Sequence, residues 1–227
     1  MPRYAISDIH GCCKTFEKLL FETLNLQKTD ELYLLGDYID RGPDSKGVID
    51  LIFRLQEEKY NVHCLMGNHE AMMLELSLEG WDRFNWVEQG GRETLQSFGA
   101  KHLGEVPDLY WHFFRNLYLV EELDDYLLVH AGFNFKHADF LDDDQSMLWI
   151  RNWYRDIKPE VLNGRIIIHG HTPMVRPSIE KMLNADPLLV VDIDAGCVYQ
   201  NYEGLGHLCA FDLDSKTLVF ERNIDFD

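Results

Sequence analysis

The sequence is short of cysteine, of positive charge and of long apolar runs, and each shortage excludes a class of protein. Its five cysteines form no CxxC pair, so they match neither a disulfide scaffold nor a zinc-binding pattern. Lysine and arginine number 21 against 39 acidic residues, which gives a formal net charge of -18. Binding to a nucleic acid backbone requires clustered basic residues, so we predict no nucleic acid partner.

Membrane and secretory signals are also missing. No stretch reaches about 18 uninterrupted apolar residues, and the segment MPRYAISDIHG lacks a signal-peptide layout. We therefore predict no membrane contact and a reduced, cytoplasmic location. Cys12, Cys13 and Cys197 adjoin motif residues, and we predict that they pack in the core rather than act as redox groups.

The chain does have the composition of a folded protein. Its 227 residues are 46% hydrophobic and 26% charged. This length suits one sizeable core, so we predict a single domain over residues 1–227. The sequence selects no oligomeric state.

Short apolar runs rich in Ile, Val, Leu and Tyr predict buried strands. They occupy residues 4–9, 31–36, 61–66, 126–131, 165–169, 188–193, 207–213 and 217–222. Helical faces follow the first two runs, formed by Phe16, Leu19, Leu20 and Leu24 and by Val48, Leu51, Ile52 and Leu55. This alternation predicts parallel strands with right-handed crossovers, and the last two runs predict an antiparallel hairpin.

Residues 80–116 predict a small helical insertion within the domain. The segment contains the aromatic residues Trp81, Phe84, Trp86, Trp111, Phe113 and Phe114. Two interpretations stay open. The insertion forms a cap that walls a groove, or its aromatic residues fill a second core layer.

Side chains of the kind that bind metals follow five of the predicted strands. Because the carboxyl ends of parallel strands gather at one crevice, these segments are expected to converge. Imidazole, carboxylate and amide ligands without thiolate suit ions such as Mn, Fe or Zn. Two ions sharing a bridging carboxylate fit this number of ligands and perform hydrolytic phosphate chemistry. The residues are Asp8, His10, Asp37, Asn68, His69, His130, His169 and His171.

The segments DIHG, GDYIDRG, GNHE, HAG and GHT occur in this order between Asp8 and His171. Taken alone, Asp8 and His10 equally fit a helix cap and a hydrogen-bonded polar residue, but GDYIDRG followed by GNHE is specific. Together the segments resemble the signature of the phosphoprotein phosphatase family of metallophosphoesterases, especially its short bacterial and phage members. DAGCVY at 194–199 resembles a further family segment, in which Ala195 replaces Thr and Gln200 replaces Gly. These two departures bear on packing or on substrate fit.

The resemblance implies a fold and a metal centre. The fold is a four-layer α/β/β/α sandwich with two mixed β-sheets. The implied cofactors are two divalent ions, for which we expect manganese, with iron or zinc as alternatives. One ion is implied to bind Asp8 and His10, the other Asn68, His130 and His171, and Asp37 to bridge them. A residue at position 169 of a strand would face the same side as residue 171, so His169 is predicted to support the site or contact substrate, with ligand as the alternative.

Catalytic roles are also implied by the resemblance. His69 protonates the leaving oxygen, while Asp40 holds its ring and keeps the imidazolium available. Arg41 binds the phosphate, and Arg151 resembles a second phosphate-binding arginine, with an ordinary surface arginine as the alternative. The implied reaction is single-step attack of a metal-bridging hydroxide on a phosphomonoester, without a phosphoenzyme.

GNHE rather than GNHD, and DRG rather than ARG, favour a serine/threonine protein phosphatase acting on a phosphorylated protein or a small phosphoester. The main alternative is a diadenosine tetraphosphate hydrolase, which cleaves a phosphoanhydride with the same metals. Net charge disfavours a nuclease or other phosphodiesterase. An intact acid pair and both arginines disfavour a catalytically silent metal-binding module.

Overall fold

In the computed structural model of the chain, residues 1–79 and 86–226 are described, with no side-chain detail for residues 78 and 79. The strands are β1 Arg3–Ile6, β2 Glu31–Leu34, β3 Asn61–Cys64, β4 Val120–Glu122, β5 Tyr126–Val129, β6 Ile166–His169, β7 Val190–Asp192, β8 His207–Asp212 and β9 Thr217–Arg222. The helices are α1 Cys13–Lys18, α2 Ser45–Glu57, α3 Asn68–Glu79, α4 Arg92–Ser97, α5 Asp108–Arg115, α6 Asp144–Trp149 and α7 Arg176–Met182. π-Helical turns at Leu19–Thr23 and Val87–Gly91 extend α1 and precede α4.

The strands form two mixed sheets whose parallel strands end level with one another. The first sheet has the order β3-β2-β1-β8-β9, with β1, β2 and β3 parallel and β8 antiparallel to β1. The second has the order β4-β5-β6-β7, with β5, β6 and β7 parallel. Ile6 lies opposite Leu34, and His169 lies opposite Asp192. The loops that follow the parallel strands therefore start from a common edge in each sheet.

Alternation along the strands sorts side chains into three core layers. In β5, Tyr126 and Leu128 belong to the cluster between the sheets, while Leu127 and Val129 belong to the cluster beneath the outer loops of the second sheet. The third cluster covers the outer face of the first sheet with residues of α1 and α2. Helices and loops thus flank both sheets, which confirms the predicted α/β/β/α sandwich.

All eight predicted strands are present, and the strands β8 and β9 form the predicted hairpin at the edge of the first sheet. The predicted helices at α1 and α2 are confirmed as well. Strand β4 was not predicted because its sequence VEE contains no apolar run. None of the helices in the described ranges combines the length and apolar character needed to cross a bilayer.

Within the insertion at residues 80–116, the described tryptophans are core residues. Trp86, Trp111 and Phe114 are buried in the cluster on the outer face of the first sheet. This position agrees with the core-layer interpretation. Trp81 and Phe84 lie outside the described residues, and the division into a domain and an insertion stays a prediction.

Tyr126 links the two sheets by a buried hydrogen bond. Its hydroxyl donates to the carbonyl oxygen of Leu213 over 2.6 Å, and its side chain is 0% exposed. We expect Tyr126→Phe to lower the free energy of unfolding by about 1–2 kcal/mol, because a buried carbonyl loses its partner. Urea denaturation monitored by circular dichroism measures this loss. Tyr202→Phe, at a side chain 65% exposed, is the control, and equal midpoints for the two variants would contradict the prediction.

Candidate dimetal active site

The candidate site is built from the turns that follow the parallel strands of both sheets. Asp8 follows β1, Asp37 follows β2, and Asn68 begins α3 after β3. His130 follows β5, and His171 lies two residues beyond the end of β6. All five side chains are buried. The structure therefore brings together residues that the sequence scatters over more than 160 positions.

The turns need backbone conformations that only close packing sustains. Gly36 has a φ of 97°, and a Cβ there would lie 2.3 Å from the backbone nitrogen of Gly67. The glycines of the GD and GN turns thus allow the two backbones to touch. Six site residues without this freedom also have positive φ angles, namely Asp8, His10, Asp37, Asp40, Arg41 and His171.

The Asp37 carboxylate lies at the centre of the site. Its Oδ2 atom is 3.4 Å from Nε2 of His10, and its Oδ1 atom is 3.5 Å from Nε2 of His130. The two oxygens therefore face two different groups of possible ligands. One contains His10 and His69, and the other contains His130 and His171.

Asn68 completes the second group. Its Oδ1 atom lies 3.0 Å from Nε2 of His130 and 2.8 Å from Nδ1 of His171. These two ring nitrogens are 3.2 Å apart. Oxygen and nitrogen atoms from the segments that follow β3, β5 and β6 thus converge with Asp37 in a space that one cation can occupy.

The donor atoms fit divalent cations because their lone pairs face one another. Nδ1 of His10 lies 2.9 Å from the carbonyl oxygen of Ile39, and Nδ1 of His130 lies 3.0 Å from that of Leu35. Carbonyl oxygens only accept hydrogen bonds, so each ring carries a proton on Nδ1, and in its neutral form it presents a lone pair at Nε2. In that form the Nε2 lone pair of His130 faces the oxygens of Asn68 and Asp37. A cation bound between these atoms would replace the repulsion of their lone pairs with attraction.

The protonation of the histidines agrees with this fit. Burial lowers the pKa of His10 well below its usual value, with the Arg41 charge acting in the same direction. Burial lowers the pKa of His171 to about 2, helped by His130 and Arg151. Neutral imidazoles are the form that binds metals. The buried Nε2 atom of His171 also has no hydrogen-bond partner among the described residues.

The positions of two predicted site residues, Asp8 and His69, do not by themselves establish the roles predicted for them. Asp8 joins neither ligand group within the described chain, and its Oδ2 atom accepts the backbone N–H of His171 over 3.0 Å. His69 is a member of the first group, with Nε2 3.9 Å from Oδ2 of Asp37, although the sequence predicts it to be the acid and not a ligand. The roles of Asp8 as ligand and of His69 as acid stay predictions.

His69 and Asp40 form a buried pair that other residues hold in place. Nδ1 of His69 lies 2.7 Å from Oδ2 of Asp40. Trp86 Nε1 donates to the same oxygen over 2.8 Å, and the Thr94 hydroxyl donates to Oδ1 over 2.6 Å. The His69 ring is thereby fixed with Nε2 toward Asp37, the side on which a substrate would react.

Burial acts on both members of this pair. It lowers the pKa of His69 to about 4, while the Asp37 carboxylate opposes that shift. It raises the pKa of Asp40 to about 7, although hydrogen bonds from Thr94 and Trp86 lower it. A protonated His69 therefore gives up its proton more readily than an exposed imidazolium.

Both predicted arginines lie at the site, on opposite sides. The guanidinium of Arg41 is 2.6 Å from Nε2 of His10 and lies over the ring of Tyr199. Arg151 donates to the carbonyl oxygen of His171 and, over 2.7 Å, to the hydroxyl of Thr172. The two guanidinium groups thus flank the candidate metal ligands, and this position suits a phosphoryl group bound between them.

His169 does not share a strand face with His171, because β6 ends at His169 and His171 adopts a φ of 72°. Its Nε2 atom lies 2.8 Å from the Tyr154 hydroxyl, which in turn donates to Asp192. His169 belongs to neither ligand group of the described residues. Its ring supports the loop that carries Arg151.

Sequence reasoning missed the buried carboxylate of Glu70. It accepts the backbone N–H groups of Asp37 and Gly67 on one oxygen and those of Tyr38 and Ile39 on the other, over 2.9–3.3 Å. Burial and the Asp37 carboxylate raise the pKa of Glu70, and the N–H donors oppose that rise. A carboxylic acid would turn its proton toward N–H groups, so we take Glu70 to be ionised. A glutamate in the first turn of a helix signals favourable dipole charge, and only the structure shows its partners.

The departures at 195 and 200 and the cysteines have ordinary surroundings. Ala195 is buried in the cluster between the sheets, and the Gln200 backbone closely approaches Gly206. All five cysteines are free thiols, and four of them are buried. Burial raises the pKa of Cys13 and of Cys64 to about 12, which disfavours reactive thiolates.

The chain belongs to the calcineurin-like phosphoesterase family, whose model matches residues 1–202. Bis(5'-nucleosyl)-tetraphosphatase PrpE [asymmetrical] of Oceanobacillus iheyensis is 25% identical over 225 residues, which cover 86% of this chain and 84% of the relative. The symmetrical bis(5'-nucleosyl)-tetraphosphatase of Wigglesworthia glossinidia brevipalpis is 43% identical over 77 residues, or 34% of this chain. The chain spans 27% of the length of that relative, and 46% of its symmetrical counterpart in Buchnera aphidicola.

Solved structures agree with the fold. A candidate diadenosine tetraphosphatase superposes with a TM-score of 0.66 at 20% identity, covering 98% of this chain and 93% of the other. A serine/threonine phosphatase from Saccharomyces cerevisiae superposes with a TM-score of 0.65 at 16% identity, covering 97% and 79%. These identities support the fold alone. The three curated relatives are named as tetraphosphatases and not as protein phosphatases.

The four hydrogen bonds that Glu70 accepts predict that its substitution weakens metal binding, although Glu70 is not a predicted metal ligand. In Glu70→Gln an amide NH₂ group faces backbone N–H donors, so the turn that carries Asp37 loses support. We expect Mn(II) affinity to fall by about 10- to 100-fold. Isothermal titration of metal-stripped protein measures this change. Glu75→Gln, at an exposed position of the same helix, is the control, and unchanged affinity in Glu70→Gln would refute the assignment.

Proposed function

We propose that this chain is a dimetal-dependent phosphoester hydrolase that acts on dinucleoside polyphosphates. The observation that carries the chemistry is the convergence of histidine ring nitrogens on both oxygens of Asp37. The curated relatives support the substrate class, because bis(5'-nucleosyl)-tetraphosphatase PrpE aligns with 86% of the chain. The reaction is hydrolysis of a phosphoanhydride bond in one displacement step.

Divalent ions at this site lower the pKa of a bound water and stabilise negative charge on phosphoryl oxygens. Asp8 and His10 hold one ion in this proposal. Asn68, His130 and His171 would hold the other, and Asp37 would bind both ions.

The arginines bind and orient the phosphoryl group under attack. Arg41 approaches from the side of His10, and Arg151 approaches from the side of His171. Their planar guanidinium groups donate to phosphoryl oxygens and stabilise the charge that develops there. In a chain with a net charge of -18, this local pair supplies the positive field that an anionic substrate needs.

His69 donates a proton from Nε2 to the leaving oxygen, while Asp40 holds Nδ1. A nucleoside phosphate is a stable leaving anion, so its departure depends only weakly on this proton. A serine or threonine alkoxide is a poor leaving group and depends on it strongly.

A serine/threonine protein phosphatase is the second candidate. The Asp40–His69 pair is fully buried and held by Trp86 and Thr94, an arrangement that is most useful for expelling an alkoxide. GNHE and DRG also favour this candidate. The substrate comparison below distinguishes the two.

Several finer features are part of the same proposal. We place manganese in the site in preference to iron or zinc. We also propose a single domain over residues 1–227, a cytoplasmic location and no nucleic acid or membrane partner.

Substrate preference tests the proposed function directly. EDTA-stripped protein reloaded with Mn(II) is expected to hydrolyse diadenosine tetraphosphate with a higher kcat/KM than phosphoserine or phosphothreonine peptides. Chromatography of the nucleotide products and phosphate release from the peptides give both rates. Faster turnover of the peptides would favour the protein phosphatase, and metal binding without any turnover would indicate a silent module.

Substitutions at Asp37 and His69 separate metal binding from proton donation. We expect Asp37→Asn to abolish both Mn(II) content and activity, because an NH₂ group replaces one of the two carboxylate oxygens and the negative charge between the ions is lost. His69→Asn is expected to keep both ions and to lower kcat by about 10²–10⁴-fold on phosphopeptides, with a smaller loss on the dinucleotide.

Metal analysis by mass spectrometry and steady-state kinetics provide the two measurements. His112→Asn, at an exposed position, is the matched control. An empty metal site in His69→Asn would show that His69 is a ligand and not the acid.

A further inference from the structure

A cavity of about 550 Å³ opens beside the candidate active site. It shares Arg151, Thr172 and His169 with the edge of that site, and it is also lined by Arg155 and Tyr154, which belong to neither candidate ligand group of the described residues. A cavity of this size accommodates a ligand larger than a single phosphate. It therefore offers space for the part of a substrate that lies beyond the phosphorus under attack.

The loop that forms this cavity is firmly anchored. Trp153 is buried beneath it, stacks on Phe135 and donates to the carbonyl oxygen of Ala131 over 3.1 Å. The Tyr154 hydroxyl lies 2.8 Å from His169 at the end of β6. Arg151 and Arg155 lie on either side of these anchors, and both line the cavity. A ligand that binds there therefore does not have to order the loop, which lowers the free-energy cost of binding.

The charges at the cavity favour an anion. Arg155 has no hydrogen-bond or ion-pair partner among residues 1–79 and 86–226. The carboxylate of the adjacent Asp156 is bound to Lys136 over 2.7 Å. Among the described lining residues, Asp192 alone carries a carboxylate, which is buried and accepts a hydrogen bond from Tyr154.

The cavity on the opposite side of the site has a different balance of positive and negative side chains. It is lined by Arg41 and Arg92, and also by Glu88 and Glu93. These carboxylates offset the arginines and repel a phosphate chain. The side of Arg155 is the more favourable place for additional phosphates.

We propose that Arg155 and Arg151 form a subsite for the phosphate chain of a nucleoside polyphosphate beyond the phosphate that is attacked. This inference rests on the proposed hydrolase function and extends it to substrate selection. Arg151 bridges the subsite and the reaction centre, whereas Arg155 contacts only the distal phosphates. Removal of Arg155 should therefore affect long anionic substrates selectively.

The test compares Arg155→Gln with Arg165→Gln on two substrates in saturating Mn(II). Arg165 pairs with Glu122 just before the start of β6, at the end of the strand that is opposite the site. Its replacement by glutamine removes the same positive charge at a position remote from the cavity. Arg155→Gln is expected to raise KM for diadenosine tetraphosphate by roughly three- to tenfold. Its kcat/KM for p-nitrophenyl phosphate should stay within about twofold of wild type, as should both values for Arg165→Gln.

Equal losses on both substrates, or no change on either, would overturn the subsite. Wild-type protein without dinucleotide turnover would refute the proposed function, and the subsite would then be judged by inhibition. Tripolyphosphate and orthophosphate, each with excess Mn(II), would compete with p-nitrophenyl phosphate. Selective weakening of tripolyphosphate inhibition in Arg155→Gln would support the subsite, and unchanged inhibition would overturn it.

Discussion

The site depends on one constraint, which is that the two oxygens of the Asp37 carboxylate serve different sheets. Oδ2 faces His10 from the first sheet, and Oδ1 faces His130 from the second. Both sheets must therefore present their strand ends at the same height and in contact. The inter-sheet core fixes that relation, so packing far from the chemistry determines the distance between the two ligand groups.

The turns that meet this constraint adopt costly backbone geometry. Positive φ angles at non-glycine residues cost about 1–3 kcal/mol each, and Asp37 and His171 are among six at this site. Glu70 offsets part of the cost by binding four backbone N–H groups around the Asp37 turn. A buried carboxylate that touches no substrate thus keeps the reactive carboxylate in position.

Local sequence patterns predicted the secondary structure and the residues that follow each strand, because both depend on interactions between residues close in sequence. Apolar runs located the parallel strands, and four histidines that follow them, His10, His69, His130 and His171, meet at Asp37, whereas Asp8 does not. The support of Asp40 was not predictable, because Thr94 lies 54 positions away and no periodic pattern links the two. The orientation expected for His169 assumed a strand through residue 171, whereas β6 ends two residues earlier. Both features depend on tertiary contacts that one sequence does not encode locally.

The hydrogen bond between Asp8 and the backbone of His171 joins positions 163 residues apart. A chain must close a very long loop before this contact can form, and such contacts arise late in folding. The ligand groups are therefore complete only after both sheets have docked. Ions that bind only the docked state stabilise it through mass action. The free energy of unfolding of the whole sandwich therefore rises with the concentration of free metal ions.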